Sequence, residues 1–474
     1  MAEQLVATRG ASTTFVRYGA YALLVGFPVA GLLLVLSLGA TLHASATLTA
    51  ASPAAGASVV NATLRLPIFL AQIVVVLVVS RLVGKGLRAL GQPQVVGEML
   101  AGLALGPSLL GTLAPDVYAL LFPLGTVRFL NAVSLIGLVL FMFLVGLDLN
   151  PASLRGKGHA AVLTSHASIV MPMFFGALLS LILYPRLSYA SVSFVTFALF
   201  VGTALSVTAF PVLARLLAEH RLDGTPFGAM AIACAAVDDV TAWCLLAAIT
   251  TLAHPSASPQ SLTLAFAGLV LYAIVMFTVV RRLLAWIVTR ASRSGDLGQD
   301  GLAAIIAMVF VSAWITDRLG VHPLFGAFMA GVVMPKDVDV IQSLRGRSED
   351  LLLVLLLPLF FVATGIRTRV GLISGSGLLL ALTVFVAVAG KLGGSAIAAR
   401  TAGLPWRESL ALGSLLNARG LIGLVVVNVG LEIGVISPTL YAILVLTAVV
   451  TTFMASPMVE LFYPRGAAHS PASS

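Results

Sequence analysis

Runs of about 20 apolar residues recur along the whole chain, and no other feature of the sequence constrains the fold as strongly. A helix needs roughly 20 such residues to cross the hydrocarbon core of a bilayer. Fourteen runs, separated by Pro, Gly or charged residues, predict an all-α polytopic membrane protein with 13 or 14 transmembrane helices. The runs cover residues 18–42, 66–84, 94–110, 129–148, 159–184, 190–218, 225–253, 262–290, 299–318, 321–335, 350–369, 374–401, 406–431 and 437–463.

The composition agrees with this prediction. Only 9% of the 474 residues are charged and 59% are hydrophobic, whereas soluble domains carry about 25% charged residues. The composition therefore excludes a soluble globular protein and predicts the lipid bilayer as the surroundings of the chain. The net charge of +9 is typical of an excess of Lys and Arg in cytoplasmic loops, so we expect no nucleic-acid partner.

The basic residues test the order of the predicted spans, because short cytoplasmic loops are enriched in Lys and Arg. With the N terminus in the cytoplasm, nineteen of the 27 lie at the inner side and six at the outer side. The C terminus is then cytoplasmic as well, and the composition favours a bacterial inner membrane. The first span, 18–42, precedes Ala44-Ser45-Ala46, which resembles a signal-peptidase site, but its length favours a retained helix.

Four charged side chains that matter for function lie deep in predicted spans, where a charge costs about 2.5–3.5 kcal/mol and marks a functional site by default. Asp238 and Asp239 are adjacent in one helix, so they point about 100° apart and one can face a cavity while the other faces a partner helix. The alternative is a purely structural buried network. Lys391 is expected to pair with either aspartate, and the alternative is that it extends to the membrane surface. Glu98 is a secondary candidate, for ion ligation or for packing at an inner cavity.

Two apolar runs contain helix-breaking residues, at 203–211 and 413–420. Paired interrupted helices in the two halves of a chain indicate a transporter binding site, because half-helix ends and free carbonyl groups hold ions. The alternative for each segment alone is a simple kink. The two spans are the fifth helices of two six-helix units, 66–253 and 299–463, which begin on opposite sides of the membrane and so predict an inverted repeat. In the first break, Thr203, Ser206 and Thr208 are candidate ion- and proton-binding residues. Pro211 in the first break, and Asn417 and Arg419 in the second, are expected to support the broken helices.

A series of motifs along residues 66–463 resembles the monovalent cation:proton antiporter superfamily, in the branch that holds bacterial potassium-efflux systems and plant cation/proton exchangers. Each motif alone is weak, but their order and spacing together are specific. They are Gly97-Glu98-Met99-Leu100-Ala101-Gly102, Gly106-Pro107-Ser108-Leu109-Leu110-Gly111, Phe143-Leu144-Val145-Gly146-Leu147-Asp148, Thr208-Ala209-Phe210-Pro211-Val212-Leu213-Ala214-Arg215, the pair Asp238-Asp239, His322-Pro323-Leu324-Phe325-Gly326-Ala327-Phe328, Pro358-Leu359-Phe360-Phe361 and Asn417-Ala418-Arg419-Gly420-Leu421.

The resemblance implies roles for these residues and a division of the chain. It implies that Asp239 carries the ion and the proton, that Asp238 pairs with Lys391, and that the two broken segments cross as extended chain near the ion. It also implies a homodimer. The expected parts are an additional N-terminal helix and outer loop (1–65), scaffold parts (66–148 and 299–369), core ion-transport parts (159–253 and 374–463), a linker helix (262–290) and a short tail (464–474).

The function expected from this pattern is exchange of K⁺ or Na⁺ for protons by alternating access, with cation and proton competing for one mid-membrane carboxylate. Two carboxylates and a lysine further suggest two protons per cation. The rival functions are a proton-uncoupled cation channel, for which the sequence lacks a recognisable carbonyl filter, and a symporter for an organic solute, for which the site has few polar side chains. Neither enzymatic activity nor a cofactor is expected, since the sequence shows no nucleophile–base pair and no metal-ligand spacing.

Overall fold

The computed structural model describes residues 19–44, 65–148, 159–222, 225–253, 259–293 and 298–463. Within these ranges the protein contains no β-strand and forms sixteen helices of ten or more residues. The predicted tail 464–474 and most of the predicted outer loop lie outside the described residues. The helices are α1 (Gly19–Gly39), α2 (Leu66–Ala89), α3 (Gln94–Leu105), α4 (Leu124–Asp148), α5 (His159–Leu187), α6 (Phe194–Ser206), α7 (Phe210–Glu219), α8 (Pro226–Ala253), α9 (259–293), α10 (Gln299–Arg318), α11 (Pro323–Val333), α12 (338–367), α13 (Gly377–Thr401), α14 (Trp406–Leu416), α15 (Leu421–Glu432) and α16 (Pro438–Phe462).

Each predicted span corresponds to a helix or to a pair of helices. Eleven helical stretches in the described part of the chain are long and apolar enough to cross a membrane, if α3 is counted together with the short helix Leu110–Leu113 that follows it. The pair α14 and α15, bent by 43°, is the candidate for a twelfth span. The all-α polytopic fold is therefore confirmed. The run 190–218 is divided into α6 and α7 at the predicted interruption, and 321–335 contains the 11-residue α11. One predicted boundary is wrong, since the helix expected at 350–369 begins a dozen residues earlier.

Two hydrogen bonds near helix ends show which of these ends share a membrane face. The Ser108 hydroxyl donates to the Thr368 carbonyl oxygen at 2.8 Å, which joins the ends of α3 and α12. The Ser456 hydroxyl donates to the Gly91 carbonyl oxygen at 3.0 Å, which joins α16 to the turn between α2 and α3. We call the face with Gly91 the inner face, following the predicted charge distribution, and the face with Thr368 the outer face.

Close contacts between glycines reveal the inverted repeat in the backbone packing. Gly102 of α3 meets Gly365 of α12, and Gly331 of α11 meets Gly146 of α4. A Cβ atom on any of the four would collide with the backbone of the facing helix. The second helix of each six-helix unit therefore packs against the third helix of the other unit.

Beside the contact between Gly331 and Gly146, Lys336 donates to the last carbonyl groups of α4, and burial lowers the pKa of this lysine to about 8.

The helices pack in two groups. The first comprises α2, α3, α4, α10, α11 and α12, and the second comprises α5 to α8 together with α13 to α16. The additional helix α1 packs against α5 and α6 of the second group, where the Tyr21 hydroxyl lies 3.0 Å from His166 Nδ1. The connecting helix α9 lies against α10 and α11 of the first group.

Candidate ion-binding site

The two interrupted helices of the second group cross in the protein interior. α6 and α7 are separated by the extended residues 207–209, and α14 and α15 by residues 417–420, of which 418–420 are extended. At the crossing, the Ala209 amide donates to the Ala418 carbonyl oxygen at 3.0 Å. Four half-helix ends therefore meet near one point, and all the residues of both extended segments are buried.

The extended segments are shorter than predicted. The expected segments were 203–211 and 413–420, but 203–206 and 413–416 complete the last turns of α6 and α14. Short apolar and hydroxyl side chains in these turns are compatible with a helix, so the breaks are confined to three or four residues. Thr203 and Ser206 consequently lie on α6 itself.

Different residues cause the two breaks. Pro211 lies in the first turn of α7, where its missing amide proton is not required for the helix, so the chain is interrupted before it. The second break contains no proline and depends on Gly420. A side chain at Gly420 would collide with Ala209 and Val212 of the first interrupted helix. The glycine thus permits the close approach of the two segments.

Two buried cations cap the end of α6. The Leu205 and Ser206 carbonyl groups lack helical partners because the chain beyond them is extended. Arg419 Nη2 donates to the Leu205 oxygen at 2.5 Å, and Lys391 Nζ donates to the Ser206 oxygen. Cations are favourable at the negative end of a helix dipole. Arg419, which lies in the second break, thus supports the end of the first interrupted helix.

Lys391 joins three partners from three helices. Besides Ser206, its Nζ donates to Asp238 Oδ2 at 2.6 Å and to the Ser168 carbonyl oxygen at 2.9 Å. The Ser168 oxygen is available because Pro172, four residues further along α5, has no amide proton to donate to it. All three ammonium protons are thereby used.

The backbone around Lys391 is also irregular. The residue lies in a π-helical turn, Ala389–Gly393, within α13, and such turns are frequent at functional sites. Its side chain is fully buried. The alternative that this lysine extends to the membrane surface is therefore excluded, and the expected pairing with one aspartate is present.

Both carboxylate oxygens of Asp238 accept hydrogen bonds from side chains of other segments. In addition to Lys391, it accepts from the Thr208 hydroxyl at 2.6 Å and from the Ser168 hydroxyl at 2.7 and 3.0 Å. The carboxylate is buried. Thr208 Oγ1 also lies 3.0 Å from the Leu416 carbonyl oxygen, so this hydroxyl links Asp238 to the end of α14.

Asp239 differs from its neighbour. It is 1% exposed, yet neither carboxylate oxygen has a hydrogen-bond partner among the described residues. The Phe210 amide at the start of α7 faces this carboxylate without reaching hydrogen-bonding geometry. The positive end of the α7 dipole favours a negative charge there. A buried carboxylate in such a position can take up a proton or a cation.

Two further candidates carry unpaired polar atoms. The Thr203 hydroxyl and both amide atoms of Asn417 are buried and have no partner in the described part of the chain. The Ser206 hydroxyl, in contrast, donates to the Thr203 carbonyl oxygen at 2.9 Å. Thr203 and Asn417 therefore retain free oxygen atoms beside the break, while Ser206 and Thr208 are used in internal hydrogen bonds.

Glu98 lies outside this cluster. It is buried near the inner end of α3 and accepts from Gln94 Nε2 at 2.9 Å. Gln94 Oε1 in turn accepts from Arg215 Nη2 of α7 at 3.4 Å. The structure thus places Glu98 at the inner contact between the two helix groups, and no hydrogen bond among the described residues joins it to the aspartates.

Sequence reasoning missed Ser168, which contacts both Asp238 and Lys391. A signal was present, because Pro172 in an apolar helix frees the carbonyl group four residues before it. Thr452 was missed as well, and its hydroxyl bonds both the amide and the carbonyl group of Arg419. Nothing in the local sequence of α16 distinguishes this threonine from its neighbours Thr447 and Thr451.

Comparison with known proteins extends along most of the chain. The family described as sodium/hydrogen exchanger, transmembrane, matches residues 73–462. The Na(+)/H(+) antiporter NhaS4 of Synechocystis is 42% identical over 407 residues, which cover 84% of this chain and 98% of that protein. Cation/H(+) antiporter 17 of Arabidopsis thaliana is 38% identical, covering 85% and 49%, and K(+)/H(+) antiporter 1 of Saccharomyces cerevisiae is 33% identical, covering 85% and 47%. The chain thus spans about half the length of the last two relatives.

A solved structure shows the same fold. The sodium proton antiporter MjNhaP1 from Methanocaldococcus jannaschii, at pH 8, matches with a TM-score of 0.56 and 16% identity, covering 85% of this chain and 98% of that one. The relatives are transporters, and none of those named above is an enzyme. The predicted resemblance is confirmed, and the chain belongs to the sodium/hydrogen exchanger family of multi-pass membrane cation/proton antiporters.

Proposed function

We propose that this protein exchanges a monovalent cation, K⁺ or Na⁺, for protons and that both compete for Asp239. One observation carries the proposal: two adjacent buried carboxylates differ completely in their partners. Asp238 accepts from three side chains, whereas Asp239 has none within the described ranges. Competition of cation and proton at one free carboxylate makes their transport mutually exclusive, which is the condition for exchange.

The neighbouring groups supply the remaining interactions. Asn417 Oδ1 and the Thr203 hydroxyl, both buried and unpaired, are the proposed neutral oxygen ligands of the dehydrated cation. Lys391 holds Asp238 away from the cation when the site is protonated. When the cation attracts Asp238, Lys391 keeps the Ser168 and Ser206 carbonyl groups as partners and can release a proton. This sequence gives two protons per cation.

Transport also requires access from both sides in turn. We propose that the second helix group is a moving core and that the first is a scaffold through which two copies form a homodimer. The inner contacts Arg215–Gln94 and Ser456–Gly91 must then break when the core moves. A bacterial inner membrane with both termini in the cytoplasm is the proposed location, supported by the distribution of Lys and Arg in the sequence.

The test uses the purified protein in proteoliposomes with an imposed pH gradient. Addition of K⁺, Na⁺ or Li⁺ is expected to collapse the gradient with the wild type and not with Asp239→Asn. Asp317→Asn, at an exposed carboxylate of α10, serves as the control and is expected to behave like the wild type. The cation that collapses the gradient identifies the substrate.

Other outcomes would contradict the proposal in different ways. Cation flux without proton movement would indicate a channel, and competition by organic solutes would indicate a symporter. Full activity of Asp239→Asn would exclude this carboxylate as the shared site. Reversal potentials that do not depend on membrane voltage would exclude two protons per cation while leaving exchange intact.

A further inference from the structure

A second polar region lies at the outer face, between the two helix groups. A partly open cavity of about 190 Å³ lies there between α4, α11 and α12 of the first group and α15 of the second. It is separate in the fold from the Asp238–Asp239 pair, since none of its lining residues belongs to α5 to α8 or α13. Besides Ser134, its polar lining residues are Asn131, His322, Thr364, Arg367, Asn428 and Glu432.

An ion pair crosses this cavity and joins the two groups. Arg367 is the last residue of α12 and Glu432 is the last residue of α15. Arg367 Nη1 lies 2.6 Å from Glu432 Oε1, and the two side chains are 28% and 51% exposed. The same nitrogen lies 3.4 Å from Asn428 Oδ1. One guanidinium of the first group is thus held by two oxygen atoms of the second.

Hydrogen bonds beneath the ion pair fix the orientation of Asn428. Its Nδ2 donates to the Thr364 hydroxyl at 3.0 Å, and its Oδ1 accepts from the Tyr441 hydroxyl at 3.0 Å. Tyr441 also lies 3.2 Å from the Thr364 carbonyl oxygen. Because the amide nitrogen is engaged on the scaffold side, the amide oxygen remains on the side of Arg367.

The cavity contains one more oxygen acceptor. Asn131 of α4 lines it, and Asn131 Oδ1 is buried with no hydrogen-bond partner in the residues that the structure describes. Unpaired buried acceptors are uncommon in folded proteins and indicate a missing ligand, ion or water. Asn131, Asn428 and Glu432 together provide two neutral oxygens and one carboxylate, a donor set suited to a hard monovalent cation.

We propose that this cavity is an outer cation-binding site. While no cation is bound, the Arg367 guanidinium occupies the position of the cation. A guanidinium and an alkali cation carry the same charge and compete for the same carboxylate. An entering cation takes the Glu432 and Asn428 oxygens, Arg367 is released, and the bridge between α12 and α15 opens. Binding at the outer face is thereby linked to movement of the core. This inference rests on the proposed exchange function and adds a site distinct from Asp239.

The test measures exchange in right-side-out and everted membrane vesicles, so that cation is added to one face at a time. Glu432→Gln is expected to raise the half-saturating cation concentration at the outer face about threefold, and Arg367→Gln to lower it about threefold, as befits a partly exposed ion pair. The double variant is expected to resemble Glu432→Gln. The inner half-saturating concentration stays unchanged in all three variants. Arg369→Gln, at an exposed arginine two residues beyond the pair, is the matched control.

Several results would overturn the outer site. A merely structural ion pair predicts equal losses of maximal rate or protein amount in both single variants, without opposite shifts. Equal shifts at both faces, or no shift at all, would also refute it while wild-type exchange remains intact. Absence of exchange in the wild type would refute the proposed function and the outer site with it. If the Gln variants do not accumulate, Glu432→Asp keeps the charge and is expected to give a smaller outer shift in the same direction; no shift would overturn the proposal.

Discussion

The two interrupted helices are related by the inverted repeat, yet their broken ends are stabilised differently. At the end of α6, Lys391 and Arg419 bring two positive charges to successive carbonyl groups. At the end of α14, the Leu416 carbonyl group faces a neutral group: the Thr208 hydroxyl lies 3.0 Å away and shares its single proton between this carbonyl group and Asp238. The topology is symmetric, but the electrostatic environment is not.

This difference explains where a cation can bind. Two cations neutralise the negative end of the α6 dipole, so a third positive charge there would be repelled. The negative end of the α14 dipole is not neutralised in this way, and the unpaired Asn417 follows it directly. With Asp239 at the positive end of α7, we propose that the mobile cation lies on the α14 side of the crossing and contacts α6 only at the neutral Thr203 hydroxyl.

The largest effect is expected when a charge at the end of α6 is removed. Lys391→Met leaves Asp238 as a buried charge without its cation, and removal of one member of a buried ion pair costs about 3–5 kcal/mol. The free energy of unfolding in detergent is expected to fall by this amount, and exchange is expected to be lost. Denaturant titration and proteoliposome assays measure the two effects.

A second variant separates charge from packing in this result. Lys391→Met combined with Asp238→Asn leaves no buried charge unpaired, so part of the lost stability is expected to return while exchange remains impaired. If Lys391→Met alone unfolds at the wild-type denaturant concentration, the lysine at the end of α6 contributes nothing to the free energy of unfolding. The difference in charge between the ends of α6 and α14 would then not affect stability.

The glycine at the second break gives the next largest effect. Gly420→Val would place methyl groups against Ala209 and Val212, and such overpacking costs about 3 kcal/mol at the upper end of its usual range. Gly423→Ala, one turn further along α15, is the control because the nearest atom to its new Cβ is Arg419 Cβ at 3.8 Å. We expect little change for Gly423→Ala, measured by thermal unfolding. Equal destabilisation by the two variants would show that the crossing does not require a glycine.

Much of this arrangement follows from local signals in the sequence. Charged residues inside apolar runs, such as Lys391 and Asp239, are detectable because each violates the composition of its segment. Pro211 likewise marks its break by removing an amide donor. Span order follows from apolar length and loop charge. These features depend on neighbouring residues in the chain, and so the fold class and the candidate residues were predictable.

The pairing of these residues was not predictable from the residues alone. Lys391 was as compatible with Asp239 as with Asp238, and the choice depends on Ser168, which lies 223 positions from the lysine. Arg419 reaches Leu205 across 214 positions. Only the packing of α5, α6, α8 and α13 with the second break brings these groups together. The extended segments were overestimated for the same reason, since tertiary contacts decide how far each half-helix continues.

Removing one capping group from each broken helix tests the difference between the ends of α6 and α14 directly. Arg419→Met removes a charged donor from the Leu205 carbonyl group, and Thr208→Val removes a hydroxyl whose single proton lies between the Asp238 carboxylate and the Leu416 carbonyl group. Each variant therefore loses a hydrogen bond with one charged partner, and such a bond contributes about 1.5–3 kcal/mol. We expect both variants to be destabilised by about this amount, measured by denaturant titration under one set of conditions.

Transport separates the two variants. Thr208→Val leaves Asp238 with Lys391 and Ser168 as partners, so exchange is expected to persist at a reduced rate. Arg419→Met also removes one of the two charges that repel a cation from the α6 end, so its half-saturating cation concentration is expected to change as well as its stability. Stability and exchange like those of the wild type would exclude Arg419 as a cap. Equal changes in the half-saturating cation concentration of the two variants would mean that the α6 end is no more electropositive than the α14 end, and the cation would then have no reason to bind on one side of the crossing.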